Sequence, residues 1–332
     1  MTWFSTLTGI ENESPQSVAE FLTTRGSRLC SKANSRDYEI GVLTQPTLSD
    51  LRGIKIPMDG GVSLSETVAD VQDLHMAPEN AGAVFQVASQ FNLLEMVGPS
   101  VTPEDGVGGY ENDHTQGPAC AIACGAGTIY RNYFAPVRGG KGQTHDRQID
   151  CLEDVAKALN NDENGYWAMI NGYALPTPGG LDRLNTVLSS LRPAERDDLL
   201  GLLRVGVHAD TEVTLHNVGH RVTQVFCSAM PVAYGREDAE SWSLIAKLVL
   251  DAAYEATLLA AVENSGRTGN NKVFLTMLGG GAFGNRADWI AEALLRAVRL
   301  VRHSQLEIYL VSYGRPNAIA QDVISRWNSA KT

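Results

Sequence analysis

Four carboxylates fall within ten residues of one glycine-rich segment, between positions 104 and 113. They belong to Glu104, Asp105, Glu111 and Asp113. Carboxylates this close together repel each other unless water or a cationic group lies among them. The segment is therefore either a solvated surface loop or a reaction centre, in which the acids hold a guanidinium group or activate a water molecule.

A second segment suited to chemistry is the run Gly279-Gly280-Gly281-Ala282-Phe283-Gly284-Asn285, called the glycine loop below. It follows an apolar run typical of a strand and precedes a helical pattern. Glycines lack Cβ atoms, so their backbone N–H groups can surround an anion while a helix N-terminus adds partial positive charge. We expect the loop to cradle a phosphate, with the ring of Phe283 against a sugar or base. A tight strand-to-helix connection is the alternative.

The stretch Gly106-Val107-Gly108-Gly109 partly matches the glycine pattern of dinucleotide-binding enzymes. That pattern requires a strand immediately before it, whereas Pro103 stands where such a strand should end. A dinucleotide-dependent oxidoreductase therefore ranks below the other hypotheses.

The elements that must position these segments can be read from apolar patterning. It predicts four strands, over residues 84–88, 222–227, 273–278 and 306–312. Helical spacing of apolar residues predicts helices over 241–264, 286–303 and 319–327. This alternation favours a largely parallel sheet with helices on both faces, in which ligands bind beyond the carboxyl ends of the strands.

Two regions do not follow the alternation. Residues 1–65 combine a predicted helix over 17–24 with several turns. Residues 140–215 contain helical patterns over 152–159, 181–191 and 194–203. Since neither region has the composition of a flexible linker, we predict one domain over 1–332, with an N-terminal extension (1–65) and a helical insertion (140–215).

The overall composition excludes several classes of protein. The chain has 332 residues with 27 Lys and Arg against 38 Asp and Glu, and its net charge of −11 argues against a nucleic-acid partner. The most apolar helical stretch contains Lys247, Asp251 and Glu255, so we expect no membrane span. Five cysteines and no basic segment leading into an apolar run favour a cytoplasmic protein with reduced thiols.

Several segments together resemble the macrodomain, an ADP-ribose-binding α/β family. The pair Asp70-Val71, shortly before the strand predicted at 84–88, is similar to the Asp-Ile pair of that family, whose aspartate accepts the adenine amino group. The loop after the same strand resembles the loop of the family that lies near the distal ribose, and here it contains Gln90, Phe91 and Asn92.

The resemblance extends to the second half of the chain. The glycine loop is similar to the diphosphate-binding loop of the family, and Tyr313 is placed where a ring could pack on adenine. The similarity covers roughly residues 65–135 and 220–330. It implies a three-layer α/β fold with a macrodomain-like mixed sheet flanked by helices, and an ADP-ribose moiety as the ligand.

The sequence also departs from the commonest branch of the family. Ala88-Ser89-Gln90-Phe91 replaces the usual Asn-Ala-Ala-Asn, and the first loop is rich in acids. That loop resembles a divergent branch, which includes bacterial effectors that remove ADP-ribose from arginine. The resemblance implies a hydrolase that removes mono-ADP-ribose from modified protein, with arginine as the modified residue.

In that branch the loop acids are the catalytic candidates. The resemblance places Asp105 and Asp113 first, Glu111 next and Glu104 last for carboxylate-assisted cleavage of the N-glycosidic bond. The scheme requires no cofactor and no metal. The alternative is a non-catalytic module that reads ADP-ribose, in which the loop acids only shape specificity.

Overall fold

The computed structural model describes residues 2–330, and at its centre lies a seven-stranded mixed sheet. In chain order the strands are β1 (Leu22–Arg25), β2 (Arg28–Ser31), β3 (Asp37–Glu39), β4 (Val42–Thr44), β5 (Ser63–Val68), β6 (Val84–Ala88), β7 (Pro136–Val137), β8 (Gly140–Lys141), β9 (Trp167–Ile170), β10 (Tyr173–Pro176), β11 (Gly206–Glu212), β12 (Arg221–Cys227), β13 (Lys272–Leu275) and β14 (Glu307–Ser312). The central sheet has the order β4-β11-β12-β6-β13-β14-β5. The strands from β12 to β5 run parallel, whereas β11 is antiparallel to both of its neighbours.

Helices cover both faces of this sheet. They are α1 (Trp3–Thr8), α2 (Pro15–Phe21), α3 (Leu48–Leu51), α4 (Val71–Met76), α5 (Gln116–Ala123), α6 (Gly125–Tyr133), α7 (Glu153–Ala158), α8 (Asn161–Asn164), α9 (Gly180–Ser190), α10 (Pro193–Gly201), α11 (Ser243–Thr268), α12 (Ala287–Leu300) and α13 (Ala318–Ser329). Neighbouring residues of β6 show the two faces, because Phe85 stacks on His75 of α4 while Gln86 donates to Thr257 of α11. The predicted α/β class, a mixed sheet flanked by helices, is confirmed.

The four predicted strands are all present in the central sheet. The third is shorter than predicted, because the chain leaves the sheet after Leu275 and the Leu278 N–H donates to the hydroxyl of Tyr254 instead of a neighbouring strand. The prediction of a helix over 17–24 was wrong for the second half of that range. There α2 ends at Phe21, and Leu22–Arg25 pairs with β2, as its β-branched threonines favour.

Both regions outside the alternation contribute to the sheet. From the N-terminal region come β5 and β4, and from the 140–215 region comes β11, which joins β4 to β12. The 140–215 region also forms the β9–β10 hairpin and the helices α7 to α10. Within residues 2–330, no helix combines the length and apolar character needed to cross a membrane.

The buried apolar residues form two clusters. The larger one lies between the central sheet and its helices. The smaller one joins the N-terminal segment to the acid-rich loop and to α6, and it includes Phe4, Leu7, Val107, Tyr110 and Ile129. The N-terminal segment is therefore packed against the loop that carries the candidate catalytic acids.

Candidate functional site

A cleft lies at the carboxyl ends of β6 and β13, as the parallel sheet predicts. It consists of two adjoining cavities. The glycine-loop cavity, of about 260 Å³, is lined by Gln90 and by Gly279, Gly281, Ala282 and Phe283. The Asp70 cavity, of about 570 Å³, is lined by Asp70, Val71, Glu111 and Tyr313. Five residues line both cavities: Asp113, Thr115, Gln116, Thr276 and Met277.

Internal hydrogen bonds hold the glycine loop in a tight turn. The N–H of Gly284 donates to the carbonyl of Gly281 at 3.0 Å, and the N–H of Asn285 donates to that of Gly279 at 2.9 Å. Gly279 has a φ of 71°, and a Cβ there would lie 2.5 Å from that of Ala229, so only glycine fits.

Three successive backbone N–H groups of this loop remain available. Within the described part of the chain, those of Gly281, Ala282 and Phe283 donate to no acceptor. Consecutive free amides are donors suited to an anion. The following helix contributes less than the sequence predicts, because its first turn already carries a carboxylate, that of Asp288, which accepts from Arg286.

The Asp70 cavity is built around the start of α4. The carboxylate of Asp70 accepts the N–H of Gln72 at 2.8 Å through one oxygen and so caps that helix, and the residue also lines the cavity. Tyr313 lies past the end of β14 and is 78% exposed, so its ring is free to stack on a planar ligand. The two residues flank the larger cavity.

Of the four predicted acids, Asp113 alone lines both cavities. One of its carboxylate oxygens accepts the N–H of Thr115 at 2.9 Å, and the other has no partner within residues 2–330. Glu111 lines the Asp70 cavity and accepts the backbone N–H of Trp3 at 2.9 Å.

The other two acids lie outside the lining of the cleft. Asp105 accepts the N–H and hydroxyl of Thr102 at 2.7 and 3.0 Å, and thereby closes a single helical turn. Glu104 accepts the N–H of His145 through both oxygens, at 2.8 and 2.9 Å. The structure thus brings Asp113 and Glu111 to the cleft, while Glu104 and Asp105 bind neighbouring backbone.

In the loop after β6, too, only some of the predicted ligand-binding residues line the cleft. Gln90 lines the glycine-loop cavity, and its amide is held by the backbone N–H and carbonyl of Met96. Phe91 is part of the large apolar cluster. Asn92 is fully buried and donates to Gln148 at 2.9 Å, so neither Phe91 nor Asn92 lines either cavity. In the glycine loop, Gly280, Gly284 and Asn285 support the turn without lining the cleft.

A buried ion pair beside the glycine-loop cavity was missed from the sequence. Glu95 lines this cavity, and Arg131 donates to its carboxylate at 3.2 Å from a fully buried position. Burial raises the pKa of Glu95 to about 7, against the opposing charge of Arg131. The signal in the sequence was a single acid within the apolar run from 93 to 97.

Aromatic side chains that are distant in sequence complete the same cavity. The rings of Tyr173, Tyr234 and Phe283 lie with their centroids 5.1 to 5.6 Å apart. Tyr173 comes from β10 and donates to the carbonyl of Met96 at 2.8 Å. No local pattern indicates this grouping, because the three residues belong to separate segments of the chain.

Comparison with known proteins gives weak similarities. No family model matches the sequence, and no curated protein matches it. A structure of poly(ADP-ribose) glycohydrolase from Deinococcus radiodurans in complex with ADP-ribose is 8% identical, covers 87% of this chain and 95% of that one, and has a TM-score of 0.48. The glycohydrolase from Thermomonospora curvata is 11% identical, over 94% of this chain and 96% of that one, with a TM-score of 0.45. At these identities and TM-scores, the similarity assigns neither a family nor an activity.

Proposed function

We propose that this protein is an ADP-ribosyl hydrolase that removes mono-ADP-ribose from arginine side chains of modified proteins. The observation that carries the proposal is the position of Asp113. Its carboxylate lies where the cavity with free loop amides adjoins the cavity that holds Asp70 and Tyr313. Two adjoining cavities, with hydrogen-bond donors for an anion and an acid where they meet, suit a ligand that consists of a nucleoside, a diphosphate and a second ribose.

The two cavities divide the ligand between them. Adenosine occupies the larger cavity, where Asp70 accepts from the adenine amino group and the exposed ring of Tyr313 stacks on the base. The diphosphate accepts from the free N–H groups of residues 281–283. The distal ribose then enters the glycine-loop cavity beside Gln90.

Asp113 carries the chemistry in this proposal. Its carboxylate accepts a proton from water as the water oxygen bonds to the anomeric carbon of the distal ribose. The bond from that carbon to the guanidinium nitrogen breaks, and its electron pair stays on the nitrogen. The departing neutral guanidine then takes the proton from Asp113, which regenerates the carboxylate. Glu104, Asp105 and Glu111 hold the backbone of the loop.

The surroundings of the glycine-loop cavity favour arginine as the modified residue. A guanidinium group binds well to carboxylates and to the faces of aromatic rings. The cavity offers the carboxylate of Asp113 together with the rings of Tyr173, Tyr234 and Phe283. Tyr234 is 36% exposed, so its ring is accessible from the mouth of the cleft.

The test measures release of free ADP-ribose from two modified proteins, one carrying it on arginine and one on glutamate. We expect release from arginine only, and about a 10²- to 10⁴-fold loss in Asp113→Asn, the range expected for removal of a general base. The variant amide still accepts from the N–H of Thr115, so the loop keeps its fold. Asp105→Asn is the matched control, since Asp105 lies on the same loop outside the cleft lining.

Each other outcome points to a different function. Binding of ADP-ribose without release from either substrate would leave the non-catalytic reader. Release from glutamate alone would overturn the arginine assignment. Equal losses in Asp105→Asn and Asp113→Asn would contradict the division of roles among the loop acids.

A further inference from the structure

The acid-rich loop, residues 104–113, is held in place by the first residues of the chain. The N-terminal segment, residues 2–21, packs on this loop through the smaller apolar cluster. Two polar side chains of the segment also reach the loop directly, those of Trp3 and Glu13.

The carboxylate of Glu13 occupies the glycine stretch that resembles a dinucleotide fingerprint. It accepts the N–H of Val107 at 2.9 Å and that of Gly108 at 2.6 Å. The hydroxyl of Tyr133 donates to the same carboxylate at 2.8 Å. The anion bound by this glycine stretch is therefore a side chain of the protein itself.

The glycines beside this carboxylate fit the same contact. A Cβ on Gly106 or on Gly108 would lie 2.6 Å from the Glu13 carboxylate. Gly106 also has a φ of 86°, which side-chain-bearing residues rarely adopt. The glycines at these two positions thus make room for the carboxylate of Glu13.

Trp3 holds the same loop at a second place. Its backbone N–H donates to the carboxylate of Glu111 at 2.9 Å, and its indole N–H donates to the carbonyl of Val107 at 3.2 Å. The residue also lines the Asp70 cavity. The loop is therefore fastened within its glycine stretch, at Val107 and Gly108, and again after it, at Glu111.

We propose that Glu13 and Trp3 are positioning residues that hold residues 104–113 so that Asp113 stays at the junction of the two cavities. The inference rests on the proposed function for its effect on turnover. Glu13 contacts the loop backbone and lines neither cavity, so its contacts affect the placement of Asp113 more than the binding of the ligand. A displacement of about 1 Å of a reacting group lowers the rate by about 100-fold.

The test compares Glu13→Gln with Glu11→Gln in the full chain. The first change places an amide NH₂ group where Glu13 accepts from two backbone N–H groups, whereas Glu11 is exposed and its side chain makes no hydrogen bond to residues 104–113. We expect Glu13→Gln to lower kcat by about 10- to 100-fold, with Kd for ADP-ribose within threefold of the unchanged protein. Glu11→Gln should match the unchanged protein in both quantities.

Hydrogen exchange of the backbone provides a readout that does not depend on activity. Glu13→Gln should increase exchange in residues 104–113 and leave α11 unchanged. Trp3→Phe, which removes the indole N–H and leaves a smaller ring in the apolar cluster, should increase exchange in the same residues to a smaller extent. The proposal is overturned if loop exchange is unaltered, or if kcat and Kd change in parallel.

These results separate the two proposals. Absence of ADP-ribose release by the unchanged protein contradicts the proposed function, and loop exchange then decides the positioning role alone. Release that is unaffected by Glu13→Gln, with unaltered loop exchange, contradicts the positioning role and leaves the proposed function intact.

Discussion

Replacing Gly281 with glutamate should weaken binding of a diphosphate ligand by about two orders of magnitude while leaving the fold intact. A Cβ on Gly281 meets no heavy atom within 4 Å, and its φ lies outside the left-handed region. The side chain therefore fits without displacing the loop. Its carboxylate would stand beside the free N–H groups of residues 281–283, which are the donors proposed for the diphosphate.

The size of the effect follows from Coulomb repulsion. Two unit charges about 5 Å apart, at an effective dielectric constant of about 20, repel by about 3 kcal/mol. That energy corresponds to a roughly 150-fold increase in Kd. Because the repelled group is close to the surface, about 1 M salt should recover part of the lost affinity by shortening the screening length to about 3 Å.

Isothermal titration with ADP-ribose at low and high salt measures both effects. Gly281→Gln is the matched control, since it adds the same bulk without the charge, and it should weaken binding much less than Gly281→Glu. A Kd for Gly281→Glu within threefold of the unchanged protein would refute the placement of the diphosphate. Equal losses in the two variants would show that bulk, and not charge, causes the effect.

Two further predictions concern the Asp70 cavity and the helix behind it. Asp70→Ser should keep the cap of α4, because serine also accepts a hydrogen bond at this position. It should weaken ADP-ribose binding about tenfold, because one charge-assisted hydrogen bond to adenine is lost. Unchanged affinity in a titration with ADP-ribose would contradict the adenine assignment. Burial lowers the pKa of His75 to about 4, with its ring between Val71 and Gln224. The unfolded chain binds a proton at His75 more tightly than the folded protein does, so this residue lowers the free energy of unfolding as the pH falls from about 6.5 to 4. Urea unfolding should show a loss of about 3 kcal/mol from His75 at pH 4. His75→Gln should remove that pH dependence, and an identical dependence in the variant would contradict it.

Four strands of the central sheet, and the long helices packed against it, could be predicted because their apolar residues follow patterns that are visible in short stretches of sequence. The two edge strands could not, and neither could β11, which lies in a region that was predicted as a helical insertion. Ser63–Val68 consists mainly of polar residues, and Val42–Thr44 is only three residues long, so neither edge strand stands out from the turns around it. Their pairing partners, β14 and β11, lie far away in the sequence.

The candidate site shows the same limit. The glycine loop could be located because a loop after a strand has a local signature, whereas the pair at 70–71 was indicated only by its resemblance to the Asp-Ile pair of the macrodomain family. The sequence predicted Asp105 and Asp113 together as the first candidates, and only their neighbours in the structure separate the two. Asp105 accepts from Thr102, while Asp113 faces the cleft.

The sequence by itself determined the α/β class, the two loops at the carboxyl ends of the strands and the acidic character of one of them. These properties follow from periodicity, glycine content and charge within short windows of the chain. Only the tertiary structure decided which acid faces the cleft, that Tyr173 completes the cavity, and that Glu13 occupies the glycine stretch at 106–108. Each of these depends on contacts between residues far apart in sequence, whose partners are selected by packing of the whole chain.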